Sequence, residues 1–294
     1  MLPFTVCSYA KINWMLRVLS PRLDGYHDLE TIFQTISLHD SLTFKASSSL
    51  TLNCSDRTIP TDERNLVMRA ARLMMERYET PPLEIFLEKK IPAGGGLGGG
   101  SSNAASTLLA CAHLASRRPT DGELAAAALS LGSDVPFFLT GGTAYATSRG
   151  EILQPLPDRG GIPLLLLFPR HRVSTPEAFK TLKAIRSQGS SAPRARSPLG
   201  LDACRELLES HPERLLNDLE EPVFRMRPLL LELLGRLQRT EPRWARMSGS
   251  GSTLAATYDY IATRDAAADE LAAQCPVATC ETITAAEAQL RIEK

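Results

Sequence analysis

Six of the seven residues from Gly94 to Gly100 are glycine, in the run IPAGGGLGGGSSNAA (91–105). Ordering a glycine costs roughly 0.5–1 kcal/mol relative to alanine. A folded chain holds such a run only where side chains must be absent. The preceding LEIFLEKKI reads as a strand, and the following SSNAASTLLACAHLA has helical spacing with no breaker. A glycine-rich turn between a strand and a helix N-terminus offers unpaired N–H groups and the positive end of a helix dipole. Bare backbone also lets amides approach phosphate oxygens closely. Pro92, Ala93, Gly94, Gly95, Gly96, Leu97, Gly98, Gly99, Gly100, Ser101 and Ser102 therefore form a candidate phosphate-binding segment, with the two serines offering hydroxyls to a phosphate or a magnesium ion.

Other glycine-loop chemistries fit less well. A Walker A loop needs a lysine six places after its first glycine, and counting from Gly94 reaches Gly100. A dinucleotide fingerprint matches at Gly94, Gly96 and Gly99, but a glycine run satisfies almost any such pattern. The acidic residue at the required distance, Asp121, opens a helix instead of ending a strand. A flexible linker is not usually framed by a strand, a proline and a strongly amphipathic helix.

The 294 residues are 43% hydrophobic, enough for one large domain or two of medium size. Lys plus Arg and Asp plus Glu each total 33, so no basic field points to nucleic acid. The six cysteines form no C-x-x-C pair and no zinc spacing, which suggests free thiols in a reducing compartment. MLPFTVCSYAKINW lacks the pattern of a signal peptide, and IPLLLLFP (162–169) is too short to span a bilayer. The expectation is a cytoplasmic protein with no membrane partner, monomeric or a weak homodimer.

The first third is β-rich. Phe4, Val6, Ala10, Ile12, Trp14, Leu16 and Val18 alternate with period two, which sets Lys11 and Asn13 together on the opposite face. DLETIFQTISL, SLTFKA and SLTLNCS read as separate strands broken by Asp, Ser and Gly. Leu66, Ala70, Leu73, Met74 and Tyr78 mark a helix behind PTDERN. TDGE (120–123) is a capping box opening a helix that ends at Gly132. The prolines and glycines of QPLPDRGGIP place a domain boundary near residue 155, giving domains 1–155 and 156–294. The second half mixes the strands LLLLF, WARMSG, TLAATY and VATCET with helices near 176–186, 201–209, 212–238 (with a break) and 262–273. Ser187–Pro198 reads as a mobile loop.

Two more clusters matter. MSGSGST (247–253) joins two strands and by itself reads as a tight hairpin. In LGSDVPFF, Asp134 by itself reads as a helix cap. Taken with the glycine run, in this order and spacing, they resemble the three motifs of the GHMP kinases. The resemblance implies an α+β, two-domain fold with the active site in the interdomain cleft. It also implies ATP-dependent phosphorylation of an alcohol, with Mg2+ accompanying the nucleotide. SYAKINWML, RLDGYHDLETIFQ, NLVMRAARL, STPEAFK and NDLEEPVF narrow it to the member that phosphorylates the 2-hydroxyl of a cytidine diphosphate-linked methylerythritol, in the non-mevalonate isoprenoid route.

By this resemblance Asp134 is the general base and Lys11 the cation that orients it and offsets charge on the transferring group. Asn13 contacts the substrate. Asn65 lines the adenine pocket. Tyr26 and His27 recognise cytosine, with Thr175 and Phe179 on its other side. Phe179 and Leu182 are also three apart on one helix, so core burial of Phe179 is an equal reading. No acidic metal site is visible. Two alternatives remain: another GHMP kinase acting on mevalonate, homoserine or a sugar, and a non-catalytic binder of the same fold. The DGYH block argues against the first, and retention of both Lys11 and Asp134 against the second.

Overall fold

The computed structural model describes residues 3–171, 173–187 and 196–289. Two long strands, β1 (Phe4–Pro21) and β2 (His27–Ala46), form an antiparallel pair and are followed by β3 (Thr51–Cys54) and helix α1 (Leu66–Tyr78). Then come β4 (Leu83–Glu88), α2 (Gly99–Leu114), α3 (Asp121–Leu131), a 3-10 turn (Pro136–Leu139), β5 (Thr143–Ser148) and β6 (Ile152–Pro155). The sheet order is β3-β4-β2-β5-β6, with β1 on β2. Apolar residues of α1, α2 and α3 pack with Phe4, Val6, Leu42, Phe44, Ile85 and Leu87 of this sheet.

The second half contributes β7 (Pro163–Leu167), α4 (Thr175–Ser187), α5 (Leu201–Ser210), α6 (Glu220–Met226), α7 (Pro228–Arg239), β8 (Trp244–Met247), β9 (Leu254–Thr257), α8 (Ile261–Leu271) and β10 (Val277–Glu281). The four strands form a sheet ordered β10-β7-β9-β8. A third apolar cluster belongs to both sheets: Ile12, Trp14 and Ile32 share it with Leu164, Leu166 and Trp244. Among the described residues, no helix is long and apolar enough to cross a membrane.

Three expectations need correction. The stretch read as two strands around Asp40 is one strand, β2. Asp40 does not break it, because its buried carboxylate accepts the backbone N–H groups of Lys90 (2.7 Å) and Ile91 (2.8 Å) and pairs with Lys89. β1 does set Lys11 and Asn13 together on one face, but its two faces are not distinguished by exposure, since every residue from Ala10 to Leu16 is buried. Its second edge is covered by loops: Lys11 N–H donates to Leu97 O (3.0 Å), Leu16 N–H to Leu216 O (3.0 Å), and Asp218 N–H to Leu16 O (2.8 Å). The helical reading of 212–238 divides into a 3-10 turn, an irregular stretch at 215–219, α6 and α7. Of the loop read across Ser187–Pro198, residues 188–195 lie outside the described residues. Ser187 closes α4, and Arg196 pairs with Asp218 at 2.7 Å.

Candidate active site

The glycine loop runs out of β4, which Asp40 pins through residues 89–91, and into α2. It separates two cavities. One, about 310 Å3, is lined by Asn65, Leu66, Lys89, the loop from Pro92 to Ser101, and Asn103. The other, about 320 Å3, is lined by Lys11, Asn13, Thr31, Phe33, Asp134, Arg149, Thr175 and Phe179, with Gly94, Gly96, Gly98, Gly249 and Ser250. Gly94, Gly96 and Gly98 border both, so the loop is a partition of bare backbone.

The glycines are required for different reasons. Gly96 has φ +78°, and an added Cβ would lie 2.1 Å from Ser248 O. Ser248 Oγ donates to Gly96 O (2.9 Å), and Thr253 N–H donates to Gly95 O (3.2 Å). The MSGSGST cluster is thus the expected hairpin, between β8 and β9, and its tip is docked against the glycine loop. Gly94 faces open space instead, with φ +71°. Its lack of a side chain keeps the partition thin.

Asn217 holds the hairpin in place. Its amide Nδ2 donates to Met247 O (2.8 Å) and Gly249 O (2.7 Å), while its Oδ1 accepts from Leu219 N–H (2.9 Å). Its neighbours Leu216 and Asp218 bind β1 through Leu16, so a chain of hydrogen bonds connects β1, residues 216–218, the hairpin tip, the glycine loop and β1 again at Lys11. Glu220 accepts from Met247 N–H (2.9 Å), and burial pushes its carboxyl up to about 7.

On the second cavity's wall, Lys11 is 4% exposed and its Nζ lies 3.9 Å from Asp134 Oδ2. The ammonium donates to Asn13 Oδ1 (2.5 Å), and Asn13 Nδ2 donates to Thr31 Oγ1 (2.8 Å). The Phe33 ring lies under the Lys11 ammonium, 5.1 Å from its centroid. Burial lowers the Lys11 pKa, and the Asp134 charge opposes that shift. Asp134 has a side chain 38% exposed. It caps nothing: the 3-10 turn after it starts at Val135 with no side-chain cap bond, so the helix-cap reading is corrected. A half-open carboxylate beside a buried cation can take a proton from a hydroxyl placed between them.

The residues expected to read a base, Tyr26, His27, Thr175 and Phe179, are spread over several contacts. Phe179 lines the cavity, yet its ring stacks on His27, at 5.2 Å between centroids and 27° between planes. Burial, and then the charges of Arg186 and Lys183, lower the His27 pKa. Tyr26 is exposed and lies beneath the Arg149 guanidinium, 5.0 Å from ring centroid to carbon. Thr175 Oγ1 shares a 2.7 Å hydrogen bond with Ser250 Oγ, which joins α4 to the hairpin tip.

Two nucleotide-side residues have committed side chains. Ser102 turns inward, and its hydroxyl bonds Ser8 Oγ (2.7 Å) and Tyr9 O (2.6 Å). Successive helical residues are about 100° apart. Ser101 therefore keeps the open side and Ser102 does not. Asn65 lines the cavity as the cap of α1: its Oδ1 accepts from Val67 N–H (2.9 Å) and its Nδ2 donates to Pro60 O (2.7 Å). Asn103, which sequence reasoning missed, lines the same cavity and is 3% exposed, and its buried Oδ1 has no donor among the described residues. Arg149, Thr31, Phe33 and Lys89 were also missed. Each looks like an ordinary strand or turn residue when read locally.

Comparison with known proteins settles the family. The model of the GHMP kinases N terminal domain matches residues 65–142, and that of the GHMP kinases C terminal matches residues 200–277. A 4-diphosphocytidyl-2-C-methyl-D-erythritol kinase of Synechococcus sp. (strain JA-3-3Ab) is 41% identical over 258 residues, 85% of this chain and 83% of that one. The chain is a GHMP kinase. A protein of the same name from Protochlamydia amoebophila (strain UWE25) is 39% identical over 84% of this GHMP kinase and 81% of its own length. Its fold also matches a crystal structure of 4-(cytidine 5'-diphospho)-2C-methyl-D-erythritol kinase, with TM-score 0.81 and 36% identity, covering 95% of this chain and 98% of that one. This GHMP kinase is an ATP-dependent enzyme that phosphorylates a small molecule.

Proposed function

We propose that this enzyme transfers the γ-phosphoryl group of ATP to the 2-hydroxyl of 4-diphosphocytidyl-2-C-methyl-D-erythritol. The names of the relatives support the substrate. The observation that carries the chemistry is the Asp134–Lys11 pair, at 3.9 Å, on the acceptor side of a backbone partition. The proposed division is between a domain of residues 1–155 with the glycine loop, Lys11 and Asp134, and one of residues 156–294 that supplies the hairpin tip.

ATP would occupy the first cavity, with its phosphates against the amides of Gly94–Ser101 and its base toward Asn65. Asn103 Oδ1 offers an acceptor to a donor on the nucleotide. Gly94 is where a γ-phosphoryl group could meet the other side, because nothing lies within 4 Å of an added Cβ there. The acceptor hydroxyl would lie against Asp134, which takes its proton as the new P–O bond forms. Lys11, oriented by Asn13 and Thr31, would offset charge on the transferring group. Positioning and charge stabilisation carry most of such a reaction. Mg2+ would neutralise charge on the triphosphate; Ser101 is the loop's available hydroxyl, since that of Ser102 is committed. Among the described residues no group of three or more His, Cys, Asp or Glu could hold a metal by itself, which suits an ion carried by the nucleotide. His27 and Phe179 would read the cytosine, with the base entering beside their stack and Tyr26 and Arg149 at the cavity mouth.

The test is direct. With ATP, magnesium and 4-diphosphocytidyl-2-C-methyl-D-erythritol, the enzyme should release ADP and a monophosphorylated product. Turnover of mevalonate or homoserine in place of the cytidylyl compound would overturn the substrate assignment.

A further inference from the structure

A third cavity, of about 230 Å3, lies on the reverse of β1. Trp14, Arg159, Pro212, Arg243, Tyr258 and Asp259 contribute to its wall, two guanidinium groups against one carboxylate. β1 alternates here. Lys11 and Asn13 face the acceptor cavity, while Trp14 reaches this one.

The cavity's charge is unbalanced. Arg159 is half-buried, and its Nε is shielded from solvent with no acceptor. Among the described residues its guanidinium makes neither a hydrogen bond nor an ion pair. Burial lowers its pKa; the attraction of Glu209 opposes that shift, and the like charge of Arg243 adds to it to a lesser degree. Arg243 reaches Asp259 at 3.8 Å, but both are more than half exposed. Such a surface pair binds weakly and leaves the Arg243 donors available. The Trp244 ring packs on Trp14 at 4.9 Å, and its buried Nε1 also lacks an acceptor. Desolvated cationic donors without acceptors are costly unless a ligand completes them. Two guanidinium groups present planar forks that suit tetrahedral oxyanions.

We propose that this cavity is a second anion site, which binds a free oxyanion of the phosphate class, orthophosphate or diphosphate. Size sets the class: the cavity is smaller than the roughly 300–1,000 Å3 of pockets that take drug-sized ligands. It is smaller than the cavity of about 310 Å3 beside the glycine loop, and its paired guanidinium groups favour the inorganic anion over a second ATP. The site lies on the opposite face of the catalytic strand and shares no lining residue with either cavity along the glycine loop.

The experiment is calorimetric titration with orthophosphate and with diphosphate at fixed ionic strength, using the whole enzyme with the glycine loop already saturated by a non-hydrolysable ATP analogue. Arg159→Gln should weaken binding by about tenfold or more, as expected for loss of a charge-assisted hydrogen bond. Arg243→Gln, at the open rim, should weaken it less and guards against misfolding of the first variant. Lys11→Met and Gly96→Ala, which alter the partition, should leave it intact. Binding that survives both arginine substitutions, or that disappears in the partition variants, would place the anion outside this cavity and overturn the proposal. So would the absence of saturable binding at matched ionic strength.

Discussion

The two cavities beside the glycine loop are built from different materials. The nucleotide side is mostly backbone: one contiguous segment, 92–101, supplies its amides, and the hairpin tip braces it from behind. The acceptor side is mostly side chains drawn from β1, β2, the 133–135 turn, the 148–150 turn and α4. Backbone is indifferent to the identity of what it cradles beyond charge and shape. Side chains from five elements can be exchanged one at a time. The contrast teaches that the glycine-loop cavity is fixed by conformation, and that under the proposed function the side-chain cavity would carry the enzyme's selectivity.

Substitutions can break that contrast. The largest effect is expected on the acceptor side. Asp134→Asn should lower kcat by roughly 10²–10⁴, with a small fall in melting temperature from the lost charge beside buried Lys11 and none from a lost helix cap. Lys11→Met should lower kcat as well, and the double variant should be hardly slower than the worse single one, since members of a catalytic unit are not additive. Steady-state kinetics on the three proteins check this; near-normal turnover of Asp134→Asn would end the assignment. Next is base selectivity. CDP should compete with the cytidylyl substrate, and UDP should compete about tenfold to a hundredfold more weakly, because a site built for an amino group is left with an unpaired polar group. Equal inhibition by the two would remove His27 and Phe179 from base reading.

On the donor side, Gly96→Ala forces a Cβ into Ser248 O and should separate the two loops. Overpacking of this kind costs about 1–3 kcal/mol, so ATP affinity should fall by about tenfold, with a smaller loss for the acceptor, whose cavity also borders Gly96 and the hairpin tip. Calorimetry with each ligand separately distinguishes this from general unfolding. The smallest effect concerns stability. The folded-state pKa of Lys11 is depressed, so between it and 10.5 the native state binds fewer protons than the unfolded chain. Stability therefore rises with pH through that window. Lys11→Met should raise the melting temperature at pH 7, by about 2–4 °C for each kcal/mol of desolvation relieved. That gain should shrink as pH climbs toward 10.5. Melting curves at pH 7 and pH 10 test the sign.

What could be read from the chain by itself follows the same division. The capping box at Thr120–Glu123 and the hairpin at 247–253 are local devices whose partners are a few residues away, and the glycine run shows by composition alone although its partners at Ser248 and Thr253 are distant. The helix limits at Gly132 and Tyr78 follow from the same short-range chemistry. Asp40 misled because its partners are the amides of Lys90 and Ile91, fifty residues on, and no window of sequence shows them. Ser102 misled because a pair of adjacent helical serines cannot face one cavity together. Arg149, Phe33 and Thr31 carry no local signal at all: a strand or turn residue gains its role only when β1, β2 and β5 bring it beside Asp134. Lys11 itself stands out only through the family resemblance, since alternation placed it merely on a polar face.

The second edge of β1 has a consequence for how the enzyme is made. Leu16 and Val18 owe their edge hydrogen bonds to Leu216 and Asp218, and Arg186 reaches Val18 O. A ribosome delivers β1 some two hundred residues before those partners. For most of translation the strand that carries Lys11 would have a bare rim of amides and carbonyls, the kind of rim that recruits other chains. The lysine and aspartate of the acceptor site are synthesised early, but the strand beneath them is sheathed only when the segment around Asn217 emerges and docks.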